Sequence, residues 1–169
     1  MKNIKDASMK KHLSFLAAWL LMAGSFSANG LAQHPDFSGT WKLNEPESRL
    51  DEAYSFAPLE ITIAQDGNQM TTDRVSEYQG NRIRRSSTYV LDGTHQQNDR
   101  FQGTEVKAVS SWIEDGRALK IVTSFEKMDG GPLTITTVYR MNGEQLMIGN
   151  AVEGGPLKRE PETWVFDKQ

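Results

Sequence analysis

The chain has 169 residues, with 19 Lys and Arg against 22 Asp and Glu, a length that argues for one domain. It contains no cysteine, which excludes disulfides, thiol chemistry and an N-terminus lipidated on Cys, so an exported domain has only its core to hold it together. From residue 33 onward fifteen basic side chains face twenty-one acidic ones, and a surface of that sign repels phosphate backbones and anionic membranes, which excludes nucleic acid as a partner.

The first 32 residues read as a signal peptide. Lys2, Lys5, Lys10, Lys11 and His12 make a basic start, Leu13 to Gly24 is apolar and uncharged, and Gly30-Leu31-Ala32 puts small residues at the −3 and −1 positions of a cleavage site. An apolar run of this length is too short for a bilayer, which needs about 20 residues. The predicted product is residues 33–169, exported to the periplasm or beyond the cell, with no membrane span.

Behind the leader, turn signals punctuate the chain: Asp66-Gly67, Gly80-Asn81, Asp92-Gly93, Asp115-Gly116, Asp129-Gly130-Gly131 and Asn142-Gly143. These residue types accept the positive φ of tight hairpins. Between them apolar and polar residues alternate, as in Leu119, Ile121, Thr123 and Phe125 against Lys120, Val122, Ser124 and Glu126. Period two with β-branched enrichment marks half-buried strands. Strands are predicted at 39–43, 58–65, 69–77, 82–91, 105–114, 118–127, 132–141, 144–151 and 162–167. A turn or two of helix is predicted within 46–54, and the polar stretches 94–104 and 153–161 read as loops. About eight or nine antiparallel strands joined by tight turns form an up-and-down meander, and such a sheet removes its edges by closing into a barrel. A two-sheet sandwich is the alternative; it needs longer crossovers, and only 94–104 has the length.

Ser38-Gly39-Thr40-Trp41-Lys42-Leu43 resembles the Gly-x-Trp opening of the lipocalin and fatty-acid-binding-protein superfamily, the calycins, and also the start of small exported bacterial lipocalin-like proteins. The resemblance implies that Trp41 plugs the closed end of the barrel and that Gly39 permits the close packing. The ending Glu162-Thr163-Trp164-Val165-Phe166 resembles the last strand of such barrels, which lies beside the first. A basic residue packs on the Trp in that family, and Lys168 is the match here. The chain departs from the family in the short 44–57 connection and in the absence of a helix after the barrel.

No catalytic or metal constellation stands out. His34 and His95 are not spaced as ligands, Ser86, Ser87, Ser110 and Ser111 lack a nucleophile setting, and the pair Glu114-Asp115 falls in a hairpin turn. Gly154-Gly155-Pro156 is not followed by the helix that a phosphate loop requires. Polarity on inward strand faces is the stronger signal. Ser87 and Arg85 share the face of Tyr89; Ser110 shares that of Trp112; Thr123 and Thr137 sit among Phe125 and Tyr139. Buried polar groups need partners or water, so a ligand cavity lined by these residues, with Arg74 and Arg85 as counter-charges for a carboxylate, is expected. The predicted role is binding of a small apolar or amphipathic molecule without catalysis, cofactor or metal; the alternative is a filled barrel serving as a protein-interaction domain.

Overall fold

The computed structural model describes residues 34–101, 104–126, 131–154 and 159–169. The predicted signal peptide lies outside them. Ten strands follow one another: β1 (Gly39–Leu43), β2 (Glu60–Asp66), β3 (Gln69–Tyr78), β4 (Asn81–Val90), β5 (His95–Phe101), β6 (Thr104–Ile113), β7 (Ala118–Glu126), β8 (Pro132–Asn142), β9 (Gln145–Glu153) and β10 (Glu162–Lys168). All pair antiparallel in one sheet, ordered β4-β3-β2-β1-β10-β9-β8-β7-β6-β5. The meander therefore turns back on itself: β10 lies beside β1, with Trp41 opposite Lys168 and Leu43 opposite Phe166. The result is an all-β, nearly closed up-and-down barrel. Its seam lies between β4 and β5, bridged near its base where Ser110 Oγ donates to the Val90 carbonyl.

Nine strands lie within two residues of their predicted bounds. Two expectations were wrong. The polar stretch 94–104 contains β5, paired with β6 from His95 opposite Val109 to Asn98 opposite Val106. Ladder hydrogen bonds come from the backbone, so a polar strand can serve where one edge borders a seam. The helix expected within 46–54 shrinks to a single 3-10 turn, Glu45–Glu47. Ser48 is already extended, and Arg49 exchanges backbone hydrogen bonds with Thr163 of β10 at 2.8 and 2.9 Å. This single bridge to an already formed sheet wins over a short isolated helix, which is marginal on its own.

Two ends are thereby defined. At the closed end the incoming chain crosses the barrel base. Phe37 is fully buried, Trp41 Nε1 donates to the Phe37 carbonyl at 2.9 Å, and His34 stacks on Trp112 at 3.9 Å. Lys168 Nζ lies 5.4 Å from the centroid of the Trp41 ring. Gly39 has φ +145°, and a Cβ there would stand 3.1 Å from Lys168 Cε. At the mouth sit the 44–59 connection, the β3–β4 hairpin, and Gly154 and residues 159–161 at the ends of β9 and β10. Gly154 turns the chain there with φ +78°; a Cβ would come within 2.2 Å of the Pro132 carbonyl oxygen, so no other residue fits.

Candidate ligand site in the barrel interior

Strand parity decides which side chains point inward. Met70 and Thr72 of β3 are buried, so Arg74 two residues on shares their face. Cross-strand register sets Tyr89 opposite Met70, Ser87 opposite Thr72 and Arg85 opposite Arg74. On β6 the inward face runs Val106, Ala108, Ser110, Trp112; on β7 Leu119, Ile121, Thr123, Phe125; on β8 Ile135, Thr137, Tyr139. All ten residues singled out from the sequence therefore occupy inward-facing positions, though not in one cluster.

The centre of the site is the pair that joins β3 to β8 across the barrel. Arg74 Nη2 donates to the Tyr139 hydroxyl at 2.6 Å. Burial pushes the Tyr139 phenol up to about 12, against the pull of the Arg74 charge. For Arg74, burial works against the charge while Tyr139 and Tyr89 favour it; the net shift is upward, and the guanidinium stays cationic. Part of Arg74 is reachable from the mouth, but its Nε is buried and has no hydrogen-bond partner. Among the described residues no carboxylate is seen to form an ion pair with it; the Arg140–Glu114 pair lies on the surface at the closed end. Two more buried polar atoms on inward faces lack partners: Thr72 Oγ1 on β3 and Trp164 Nε1 on β10. Each of the three can donate a hydrogen bond.

The other predicted residues divide by height. Ser110 spends its hydroxyl on the seam, and Trp112 belongs to the floor with His34 and Phe37. Thr137 Oγ1 accepts from Asn150 Nδ2 at 3.4 Å. Thr123, Phe125 and Ser87 are half-buried and Arg85 is exposed, all toward the mouth. His95 opens β5, and its side chain lies outside the described residues. Sequence reasoning missed Thr72, Asn150, Glu162 and Trp164. The same parity rule, extended along β3, β9 and β10, places each of them on an apolar inward face.

A groove of about 820 Å³ opens elsewhere, on the outer face, between the 3-10 turn and the β3–β4 hairpin. Lys42, Glu60, Arg82 and Arg84 line it with charges of both signs, all exposed. It contains none of the unpartnered buried atoms, so the desolvated chemistry lies inside the barrel. Among the described residues no group of three His, Cys, Asp or Glu is arranged to hold a metal, and no helix is long and apolar enough to cross a membrane.

No protein-family model matches the chain, and no curated protein matches it. Among solved structures it is similar to a secretary abundant heat soluble (SAHS) protein from Ramazzottius varieornatus, at 10% identity and a TM-score of 0.53, over 79% of this chain and 95% of that one. At that identity the likeness is one of fold, and what the two chains share is the β-barrel.

Proposed function

We propose that the protein is an exported, non-catalytic binding barrel of lipocalin-like type that holds a small amphipathic molecule, its anionic or strongly accepting head at Arg74 and its apolar part toward the mouth. One observation carries this reading: an inward-facing, half-buried cation without a carboxylate partner, whose buried Nε is unpartnered, accompanied by two further unpartnered buried groups, Thr72 Oγ1 and Trp164 Nε1. An unmet buried donor costs about 1–3 kcal/mol, and a buried charge needs pairing. A ligand oxyanion reaching these groups would supply the acceptor that each lacks. Above them Phe125, Leu133, Ile135 and Val152 form a half-buried apolar wall suited to an alkyl or aromatic tail. The leader pattern at residues 1–32 supports export.

Titration with the anionic fluorophore anilinonaphthalene sulfonate, followed by displacement with an alkyl carboxylate, tests the proposal. The expected result is saturable, displaceable binding that Arg74→Met weakens on the order of tenfold or more, with only a modest change in melting temperature, because removing a charge that lacks an ionic partner is set against the Tyr139 hydroxyl losing its hydrogen bond. Equal binding by both proteins contradicts it. The second reading is a filled barrel that binds another protein through its surface. The exposed outer groove and the exposed mouth side chains Tyr54, Phe56, Tyr78 and Ile83 favour it, and it predicts no probe binding.

A further inference from the structure

We infer that Glu162 is a latch: it pins the 51–56 strap across the mouth and thereby sets how fast a ligand enters and leaves. The inference rests on the binding reading above and adds a positioning residue to it. Glu162 opens β10 at the mouth, on the inward face of Trp164 and Phe166, and is 6% exposed. Its Oε1 accepts from the Asp51 backbone N–H at 2.9 Å and its Oε2 from the Phe56 backbone N–H at 3.4 Å. One carboxylate thus holds both ends of the strap.

The neighbouring contacts show why this one decides. The chain before the strap is fixed independently, through the backbone exchange between Arg49 and Thr163. Leu50 and Ala57, flanking the strap, pack against the core. Between them the strap offers only Tyr54 and Phe56, 42% and 47% exposed, in edge contact at 4.9 Å. Tyr54 reaches Tyr78 at the tip of β3, 6.4 Å between ring centroids, so the strap spans from β10 to the β3–β4 hairpin. Arg159 lies over the outside, its guanidinium carbon 4.1 Å from the Phe56 centroid and 5.1 Å from that of Tyr54. Half-solvated ring and cation–π contacts of this kind are weak. The paired hydrogen bonds to a buried carboxylate are charge-assisted and stronger. Asp51 adds a tie at its own end: its carboxylate takes the Ala53 and Tyr54 amides within the strap and the Glu160 backbone N–H just ahead of β10. With Glu162 neutralised, the Asp51 end keeps its bond to Glu160, while the Phe56 end is left with ring and cation–π contacts.

Residue-resolved amide hydrogen exchange and stopped-flow release of anilinonaphthalene sulfonate test this on the wild type, Glu162→Gln, Glu162→Asp and Arg159→Ala. In Glu162→Gln one oxygen becomes a donor facing an N–H. Exchange at Asp51 and Phe56 is expected to rise on the order of tenfold, while Val138 and Ile148 in the barrel wall keep their protection. Probe release and uptake accelerate together, so affinity changes by less than about threefold. Glu162→Asp, which restores an ionised carboxylate with shorter reach, falls between wild type and Glu162→Gln, and Arg159→Ala gives a smaller acceleration. Unchanged exchange at Asp51 and Phe56 overturns the latch. So does a rise shared equally by Val138 and Ile148, the mark of a merely structural residue. Absence of probe binding in the wild type overturns the binding reading instead, and the exchange measurement still decides whether Glu162 holds the strap.

Discussion

The two halves of this barrel are built from the same strands and differ in what their inward faces carry. At the closed end Phe37, Trp41, Met70, Leu119 and Leu146 are buried almost completely, and the polar groups among them are used: the Trp41 indole bonds the Phe37 carbonyl, and Gln65 takes the Phe37 N–H and donates to Pro35. Half-way up, Thr72, Arg74 and Trp164 leave polar atoms unmet, and above them Arg85, Thr123, Phe125 and Leu133 face inward yet stay partly or fully accessible. A chain without disulfides draws its stability from the first half, which leaves the second free to carry groups that cost stability. Substitutions in the two halves should therefore fail in different ways.

The largest stability loss is expected at the floor. Trp41→Ala removes a ring that is 1% exposed together with its hydrogen bond, and should cost about 3–5 kcal/mol in a denaturant titration. Leu133→Ala, on the same kind of inward face but half-buried near the mouth, should cost about 1 kcal/mol while weakening probe binding. Equal costs at the two sites would erase the distinction between the halves. The smallest effect is electrostatic. The carboxyls of Asp36, Asp51, Asp92 and Glu114 lie below their usual range, held there respectively by Ser38, by the Tyr54 and Ala53 amides, by Thr94 and by Arg140. Each binds its proton less readily folded than unfolded, so its contribution is complete above the ordinary carboxylate range and is lost as pH falls through the lowered folded values. Because all four groups are exposed or nearly so, melting temperature should decline only gently on acidification. A steep fall would point to a buried carboxylate as the dominant acid-sensitive group.

Much of this was legible in the residues, and the parts that were not share one cause. Alternation located nine strands and the inward faces of Arg74, Tyr89, Thr137 and Tyr139, because parity is a local property. It missed β5, where polar side chains such as Gln96, Gln97 and Asn98 hide a backbone ladder that composition does not encode. It placed Arg74 and Tyr139 in the same lining but not in contact, since β3 and β8 are not neighbours in the sheet and meet only across the closed interior. Glu162 escaped for a related reason: its partners Asp51 and Phe56 lie more than a hundred positions away, and a single Glu at the head of a strand reads as solvated.

The central claim is that the three unpartnered buried groups receive one ligand head. Nitrogen–proton spectra of the arginine and tryptophan side chains, recorded during titration with a medium-chain alkyl carboxylate, test it most directly. The account predicts that the Trp164 indole and Arg74 Nε signals shift together and saturate at a common concentration, while the Trp41 indole, already bonded to Phe37, stays in place. Signals of Trp164 and Arg74 that remain fixed at saturating carboxylate, or that move only in step with Trp41, would contradict it.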